Sequence, residues 1–306
     1  MDRFEAMRTL LAAVDGGSLS AASRALNTPL PTISRRVSDL EAHLGAQLLV
    51  RTSRKLILTE AGEAFVAATR RVLDDLADAE RAASGEYRAP RGELMVTAPI
   101  MFGKLHVAPV VHAFLAAYPD VTVRLVLSDS NIDLVEAHVD VAVRVGQLPD
   151  SDLVARRLGD IRWVVCASPA YLARRGPVEQ PEDLARHDCI AFEGLQIWRS
   201  WRIGAGAAAR TVEIVPRFSV NTADAIIEAA AAGVGVARVM SYQAAAAVND
   251  GRVVPLLTHL GCDAVPVQLV HRRQRSQPLK LRAFLDFVAP RLQQVLGDMA
   301  GCFSQN

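Results

Sequence analysis

The sequence predicts an α/β protein of at least two domains, a small helical amino-terminal part followed by a larger part of alternating strands and helices. Three observations predict it. Ser18 to Arg51, SLSAASRALNTPLPTISRRVSDLEAHLGAQLLVR, reads as two short helices joined by a tight break. Thr59 to about Ser84 repeats apolar residues at heptad-like spacing. From Glu93 onward, short apolar runs alternate with helical ones, the pattern of strands covered by helices. The 306 residues suffice for two or more domains, and a 51% hydrophobic content permits large cores.

In order, Asp2–Asp15 is expected to be helical, with Phe4, Met7, Leu10, Leu11 and Val14 as its buried stripe and Gly16-Gly17 as its stop. Ser18 or Ser20 then caps a helix over Ser20–Leu26, with Leu19, Ala22 and Leu26 on one face. Asn27-Thr28-Pro29 breaks the chain. The next helix carries Ile33, Val37, Leu40 and Leu44, spaced four, three, four, which lines one side of an α-helix. Its other side holds Thr32, Ser34, Arg35, Arg36 and Ser38. Guanidinium groups neutralise phosphates or read guanine edges, and small hydroxyls allow close approach, so this face suits a DNA major groove. The plain alternative is a solvated amphipathic helix. With Thr28 as cap, Pro29 and Pro31 both fall in the first turn, where backbone N–H groups lack intrahelical partners.

After Gly45, the runs Gln47–Val50 and Leu56–Leu58 flank Arg51-Thr52-Ser53-Arg54-Lys55 and describe a β-hairpin with a basic tip. Arg51, Arg54 and Lys55 suit a hairpin lying against a duplex; a solvated turn is the alternative. Residues 1–60 carry eight Lys/Arg against six Asp/Glu, and five of the cations lie on these two elements. The long helix follows, with Phe65, Thr69, Val72, Leu76, Ala79 and Ala83 as its seam. No second amphipathic helix of this segment buries that seam, so pairing with another copy is expected; packing on its own domain is the alternative. Ser84–Gly92, SGEYRAPRG, is a linker.

In the larger part, strands are expected at Leu94–Ala98, Val121–Leu127, Val139–Val145, Trp163–Ala167, within Gly233–Val239, and at Val265–His271. Helices are expected at Phe102–Ala117, Asn131–Ala137, Asn221–Ala232, Ser241–Val248 and Leu279–Leu296. The sheet should be mostly parallel, in two lobes around a cleft. Ligands of open α/β sheets lie beyond the carboxyl ends of strands. That places Thr97, Pro99, Ile100 and Phe102 after the first strand, Ser128 and Asp129 after the second, and Arg144 and Gly146 after the third. Asn221 and Thr222 precede a helix of the second lobe, and Gly233-Val234-Gly235 permits close backbone approach. Free N–H groups near Ile100–Gly103 would suit an anion or a carbonyl oxygen.

The net charge of +1 excludes a uniformly basic nucleic-acid coat. Cys166, Cys189, Cys262 and Cys302 form no C-x-x-C pair, and no histidine stands at ligand spacing from them, so reduced thiols and no metal are expected. A redox-sensing pair is the alternative. Asp2, Arg3 and Glu5 stand where an export signal would turn apolar, and no uninterrupted run of 18 apolar residues occurs, so a cytoplasmic chain with no membrane partner is expected. There is no G-x-S-x-G elbow, P-loop, H-E-x-x-H or G-x-G-x-x-G after a strand, and enzymatic activity and a cofactor are not expected.

The strings SLSAASRALN, PTISRRVSDLEAHLG and LLVRTSRKLILTEAG together resemble the amino-terminal domain of LysR-type transcriptional regulators. The segments TAPIMFGKLHVAPVVHAFLAAYPDVTVRLVLSD, VDVAVRVGQLPDSDLVARRLG and SPAYLARRGP resemble their effector domain, in particular a CrgA-like subgroup. The resemblance implies a winged helix-turn-helix over residues 1–58, a dimerising linker helix and hinge over 59–91, and a periplasmic-binding-protein-like effector domain over 92–306. Lobe I would span about 92–161 and 267–296, and lobe II about 162–266. It implies promoter DNA, a small-molecule effector and further copies of the chain as partners, as a dimer or dimer of dimers, with RNA polymerase a further candidate. DNA contacts are then carried by Ser20, Thr32, Ser34, Arg35, Arg36, Ser38, Arg51, Arg54 and Lys55. The chain departs from the family at Pro29-Leu30-Pro31, where Ser-Gln often precedes the proline, and at Leu49, where an aromatic is frequent. The lobed part alone would suit a solute-binding protein, which the attached Ser18–Arg51 segment argues against.

Overall fold

The computed structural model describes residues 2–51, 56–83, 89–130, 133–134, 137–149, 151–194, 199–273 and 277–302. The chain divides into two compact units, Met1–Ala89 and Pro90–Asn306.

The first unit is built on α1 (Arg3–Asp15), which touches α2 (Leu19–Ala25), α3 (Leu30–Leu44) and α4 (Glu60–Ala83). Asp2 starts α1 by accepting the Phe4 and Glu5 N–H groups, and Ser18 starts α2 by accepting from Ala21 N–H at 3.1 Å. The α1 stripe is rotated from the expected one: Ala6, Thr9, Leu10 and Ala13 are buried, Phe4 is exposed, and Met7, Leu11 and Val14 are half-buried. The physical reason is crowding. With three helices on one, small alanines allow the closest approach. Ile33, Val37 and Leu40 of α3 are buried as the spacing requires, whereas Leu44, in the last turn, is exposed, as is Leu26 beyond α2. Pro29 holds the N-cap position of α3, one residue later than expected, and the Thr28 hydroxyl donates to Leu26 O instead of capping. Gly45 ends α3 at φ 64°, a left-handed conformation that glycine adopts without strain.

The hairpin strands β1 (Leu49–Arg51) and β2 (Leu56–Leu58) pair antiparallel. Leu48 and Leu49 join Ala6, Leu10, Val37, Leu40 and Val66 in the core. Gly62, in the first turn of α4, is required by contact: a Cβ there would stand 2.1 Å from Leu48 O. The start of the α4 seam packs within this unit, with Phe65 half-buried against the core and Thr69 1% exposed. Val72, one turn on, is 44% exposed. The expectation that the whole seam faces another copy therefore fails for the first turns of α4, because α1 and the hairpin already cover them.

In the second unit the elements run β3 (Gly92–Ala98), α5 (Ile100–Phe102), a π-helical turn (Gly103–Val107), α6 (Ala108–Ala117), β4 (Val121–Leu127), β5 (Val141–Val145), β6 (Leu153–Ala167) and α7 (Pro169–Arg175). Then come β7 (Cys189–Phe192), β8 (Ser200–Ile203), β9 (Arg210–Glu213), β10 (Pro216–Val220), α8 (Ala223–Ala231), β11 (Val236–Met240), α9 (Ser241–Asn249), β12 (Val254–Leu256), β13 (Ala264–Arg272) and α10 (Leu279–Cys302). The strand order is β10-β7-β11-β6-β13-β5-β3-β4, with β12 on β6. Pairs β3–β4, β3–β5, β7–β10 and β7–β11 are parallel, whereas β6 runs antiparallel to β13, β11 and β12, and β13 antiparallel to β5. The sheet is thus mixed, not mostly parallel. The cause is the pair of long strands that carry the chain out of lobe I and back. Residues 153–162 of β6 pair with β13, and Trp163–Cys166 pair with β11.

Lobe I buries Val96, Phe102, Phe114, Val143, Leu269, Phe284 and Val288 between sheet and helices. The stretch Ile100–Ala117 is long and apolar enough to cross a bilayer by length and composition, but Phe102, Val107, Val110, Val111 and Phe114 on it belong to this core. Lobe II has a core on each sheet face, one around Val165, Tyr171, Leu184 and Val236, the other around Cys166, Ile190, Ile226 and Ala237. The helix expected over 131–137 is not present among the described residues, since Asp133, Leu134 and Ala137 lie in loop and turn.

Candidate nucleic-acid interface and ligand cleft

On α3 the side away from the core presents Thr32, Arg35 and Ser38, all exposed and spaced three apart, with Ser34 half-buried beside them. Ser20 is exposed on α2. Arg35 has an 84% exposed side chain and only a loose i,i+4 approach to Asp39 at 3.9 Å, a geometry that contributes little in water. Arg36 differs. It is 30% exposed and pairs with Glu5, tying α3 to α1. The two adjacent arginines thus do different work, one open to a partner and one holding the helix pair. The side chain of Arg51, and Arg54 and Lys55 entirely, lie outside the described residues.

Two contacts that set this face went unread in the sequence. The Glu41 carboxylate accepts the Leu48 and Leu49 N–H groups at 2.8 and 3.0 Å, fixing the hairpin to the end of α3. Arg70 of α4 pairs with Asp15 of α1. Neither has a periodicity that could announce it, because each partner sits on a different element.

In the second unit, Thr97, the next-to-last residue of β3, is fully buried, and its hydroxyl has no hydrogen-bond partner among the described residues. A buried hydroxyl left unpaired is costly. The N–H groups after Pro99 are not all open as expected: the Asp129 carboxylate accepts the Ile100 N–H at 3.0 Å. Ser128 is likewise engaged, its N–H donating to Ala98 O and its Oγ accepting from Ser130 N–H. Arg144 is buried in β5, and burial lowers its pKa. Gly146, at φ 108°, donates to Pro266 O and accepts from Gln268 Nε2. Phe102 is fully buried in the lobe I core, and Ile100 is half-buried. Asn221 is exposed and Thr222 half-buried at the start of α8. Gly235 serves its own lobe, since a Cβ there would meet Asp188 O at 2.3 Å.

Side chains not proposed for binding from the sequence also meet beside Phe102. The Tyr242 ring, from α9 of lobe II, meets Phe102 edge-on at 5.3 Å and His106 at 5.8 Å. Burial pushes the His106 pKa down, and its Nε2 has no partner among the described residues. Burial raises the Asp129 carboxyl; the Ile100 N–H opposes this, and the charge of Asp224 from lobe II adds to it. Asp224 itself is held below its usual range, first by the Thr222 hydroxyl and, as a smaller effect, by Lys104. Asp224 of lobe II therefore acts on Asp129, and Lys104 on Asp224, each as a small effect across the lobes. Asp224 gave no signal beyond being an acidic residue in a helix's first turn. Among the thiols, burial pushes Cys166 and Cys189 up to about 12, and it raises Cys262 as well. These are protonated at neutral pH and poorly poised for a redox switch.

Residues 88–293 match the family model described as LysR substrate binding domain, and residues 4–63 match bacterial regulatory helix-turn-helix protein, lysR family. An HTH-type transcriptional repressor of Pseudomonas aeruginosa is 35% identical over 292 residues, covering 94% of this chain and 92% of its own. The HTH-type transcriptional regulator CrgA of Neisseria meningitidis (strain 8013) is 33% identical over 289 residues, covering 94% of this chain and 96% of its own. The solved structure of CrgA from Neisseria meningitidis superposes with a TM-score of 0.61 at 32% identity, over 94% of this chain and 98% of that one.

Proposed function

The chain belongs to the LysR family of transcriptional regulators, with a helix-turn-helix DNA-binding domain and an effector-binding domain, and from this we propose which residues carry each task. Residues 1–58 bind promoter DNA, 59–91 form a dimerising linker, and 92–306 sense a small molecule in the cleft. The observation that carries the DNA assignment is the solvent-exposed Thr32–Arg35–Ser38 face, with Arg35 extended into solvent while Arg36 pairs with Glu5. A helix with this face in the major groove would use Arg35 for a base or phosphate, with the hydroxyls in close approach. Arg51, Arg54 and Lys55 supply the flanking phosphate contacts.

The effector reading rests on the unpaired Thr97 hydroxyl and the Asp129–Asp224 pair. Together they favour a small, partly apolar molecule with a polar atom for Thr97 and at least one hydrogen-bond donor, hydroxyl or ammonium, for a carboxylate. With Asp129 already on Ile100 N–H, an anion at that helix start is disfavoured. The effector acts by differential affinity for two arrangements of the protein. The chain works in the cytoplasm by binding alone, as a dimer or dimer of dimers, with RNA polymerase as a further partner. Mobility shift of DNA from upstream of its own gene, with and without effectors found by a thermal-shift screen, tests this. Retarded DNA whose complex changes with ligand supports it; no retardation at any protein concentration refutes it.

A further inference from the structure

Where the chain passes from lobe I to lobe II, β6 changes partners between Arg162, paired with Ala264, and Trp163, paired with Met240. A pocket of about 120 Å³ opens beside this step, with Arg162, Trp163, Arg238, Ile203, Leu256 and Leu257 in its lining. Thr97, Ser128, Asp129, Asn221 and Thr222 are not part of that lining. The Arg238 guanidinium stacks on the Trp163 indole, 4.0 Å from the ring centroid. Its Nε is buried without a hydrogen-bond partner among the described residues. Burial lowers its pKa to about 10, so it stays charged at neutral pH while stripped of much of its water.

Among the described residues, neither Arg162 nor Arg238 forms an ion pair. The acid nearest in sequence to this wall, Asp263, is committed to Arg202 and to the Gly206 N–H. Arg162, Arg238 and Cys262 all line this one pocket. Two guanidinium groups, one of them desolvated, with the neighbouring Asp263 carboxylate held by Arg202, create a field that a bound anion relieves. Ile203, Leu256, Leu257 and the indole supply apolar walls. The size limits the guest: a cavity of about 150 Å³ holds one benzene ring, and pockets for drug-sized ligands begin near about 300 Å³.

We propose that this pocket is a second ligand site, distinct from the cleft, for a small organic carboxylate with an apolar body no larger than one ring. The carboxylate lies on Arg238 and Arg162, and the body lies against Leu256, Leu257 and Ile203. This does not depend on which molecule fills the cleft.

Calorimetric titration of the full chain with benzoate and with benzamide, which has the same shape without the charge, tests it. The expected result is saturable benzoate binding, with benzamide weaker by about tenfold or more. Arg238→Met and Arg162→Gln should each weaken benzoate binding by about tenfold or more, while Thr97→Val leaves it unchanged. Arg162 is exposed, so its variant keeps the test open if Arg238→Met fails to fold. The proposal is overturned by no benzoate binding at millimolar concentration, by equal binding of benzamide, by unaltered binding in Arg162→Gln, or by loss of binding in Thr97→Val.

Discussion

The Arg36 guanidinium meets the Glu5 carboxylate at 2.5 Å, joining α3 to α1. Partial exposure limits the pair to about 0.2–1 kcal/mol. Arg36→Ala and Glu5→Ala should each lower stability by an amount of that order, and a double-mutant cycle in urea should show coupling between them. Additive effects would mean that the pair contributes nothing in solution.

Asp129 gives a pH dependence of defined sign. Its folded pKa is raised, chiefly by burial. The carboxyl therefore favours the fold most below its unfolded pKa, and that contribution is lost as pH rises through the folded pKa. Asp129→Asn keeps an acceptor for the Ile100 N–H and removes the charge. The variant should melt higher than the parent at neutral pH, with the gap closing as pH falls below the carboxylate range. A gap that widens in acid would reverse the assignment.

Thr97→Val removes a buried hydroxyl that has no partner among the described residues. The substitution should raise stability by about 1–3 kcal/mol and weaken the response to the effector, leaving DNA binding in place. A less stable protein with full induction would show that the hydroxyl is satisfied in solution and unused by ligand.

On α4, Phe65 packs in its own unit while Val72 is exposed. Phe65→Ala should cost roughly 1–3 kcal/mol in stability, below the cost at a fully buried site. Val72→Glu should leave stability almost unchanged but shift sedimentation toward monomer, because a charge in an apolar seam is costly to desolvate. A dimer unaffected at micromolar concentration would place the self-interface elsewhere.

Elements with local signals were legible in the sequence. Val121–Leu127 is a strand over the expected residues and Ser18 caps α2, because β-branched runs and a hydroxyl before a helix act on their neighbours. What depends on partners distant in the chain was not. The polar run Ala155–Asp160 gives no strand pattern, yet β13 pairs along it and extends β6 to fifteen residues. The effect of Asp224 on Asp129 depends on lobe II lying against lobe I, and Glu41 revealed its role only once the hairpin lay on it. The same cause rotated the α1 stripe, since which face is buried was decided by three other helices.

The central claim, that the open face of α3 reads DNA, is tested most directly by fluorescence anisotropy with the chain's own upstream DNA. Parent, Arg35→Ala and Arg36→Ala are compared at several salt concentrations. The account predicts that Arg35→Ala loses about 1–3 kcal/mol of operator affinity if Arg35 contacts a base pair. Its preference for operator over unrelated DNA should shrink with it. Arg36→Ala should lose little once its smaller stability is allowed for. Unchanged affinity and selectivity in folded Arg35→Ala, or a larger loss in Arg36→Ala at equal folded fraction, would contradict it.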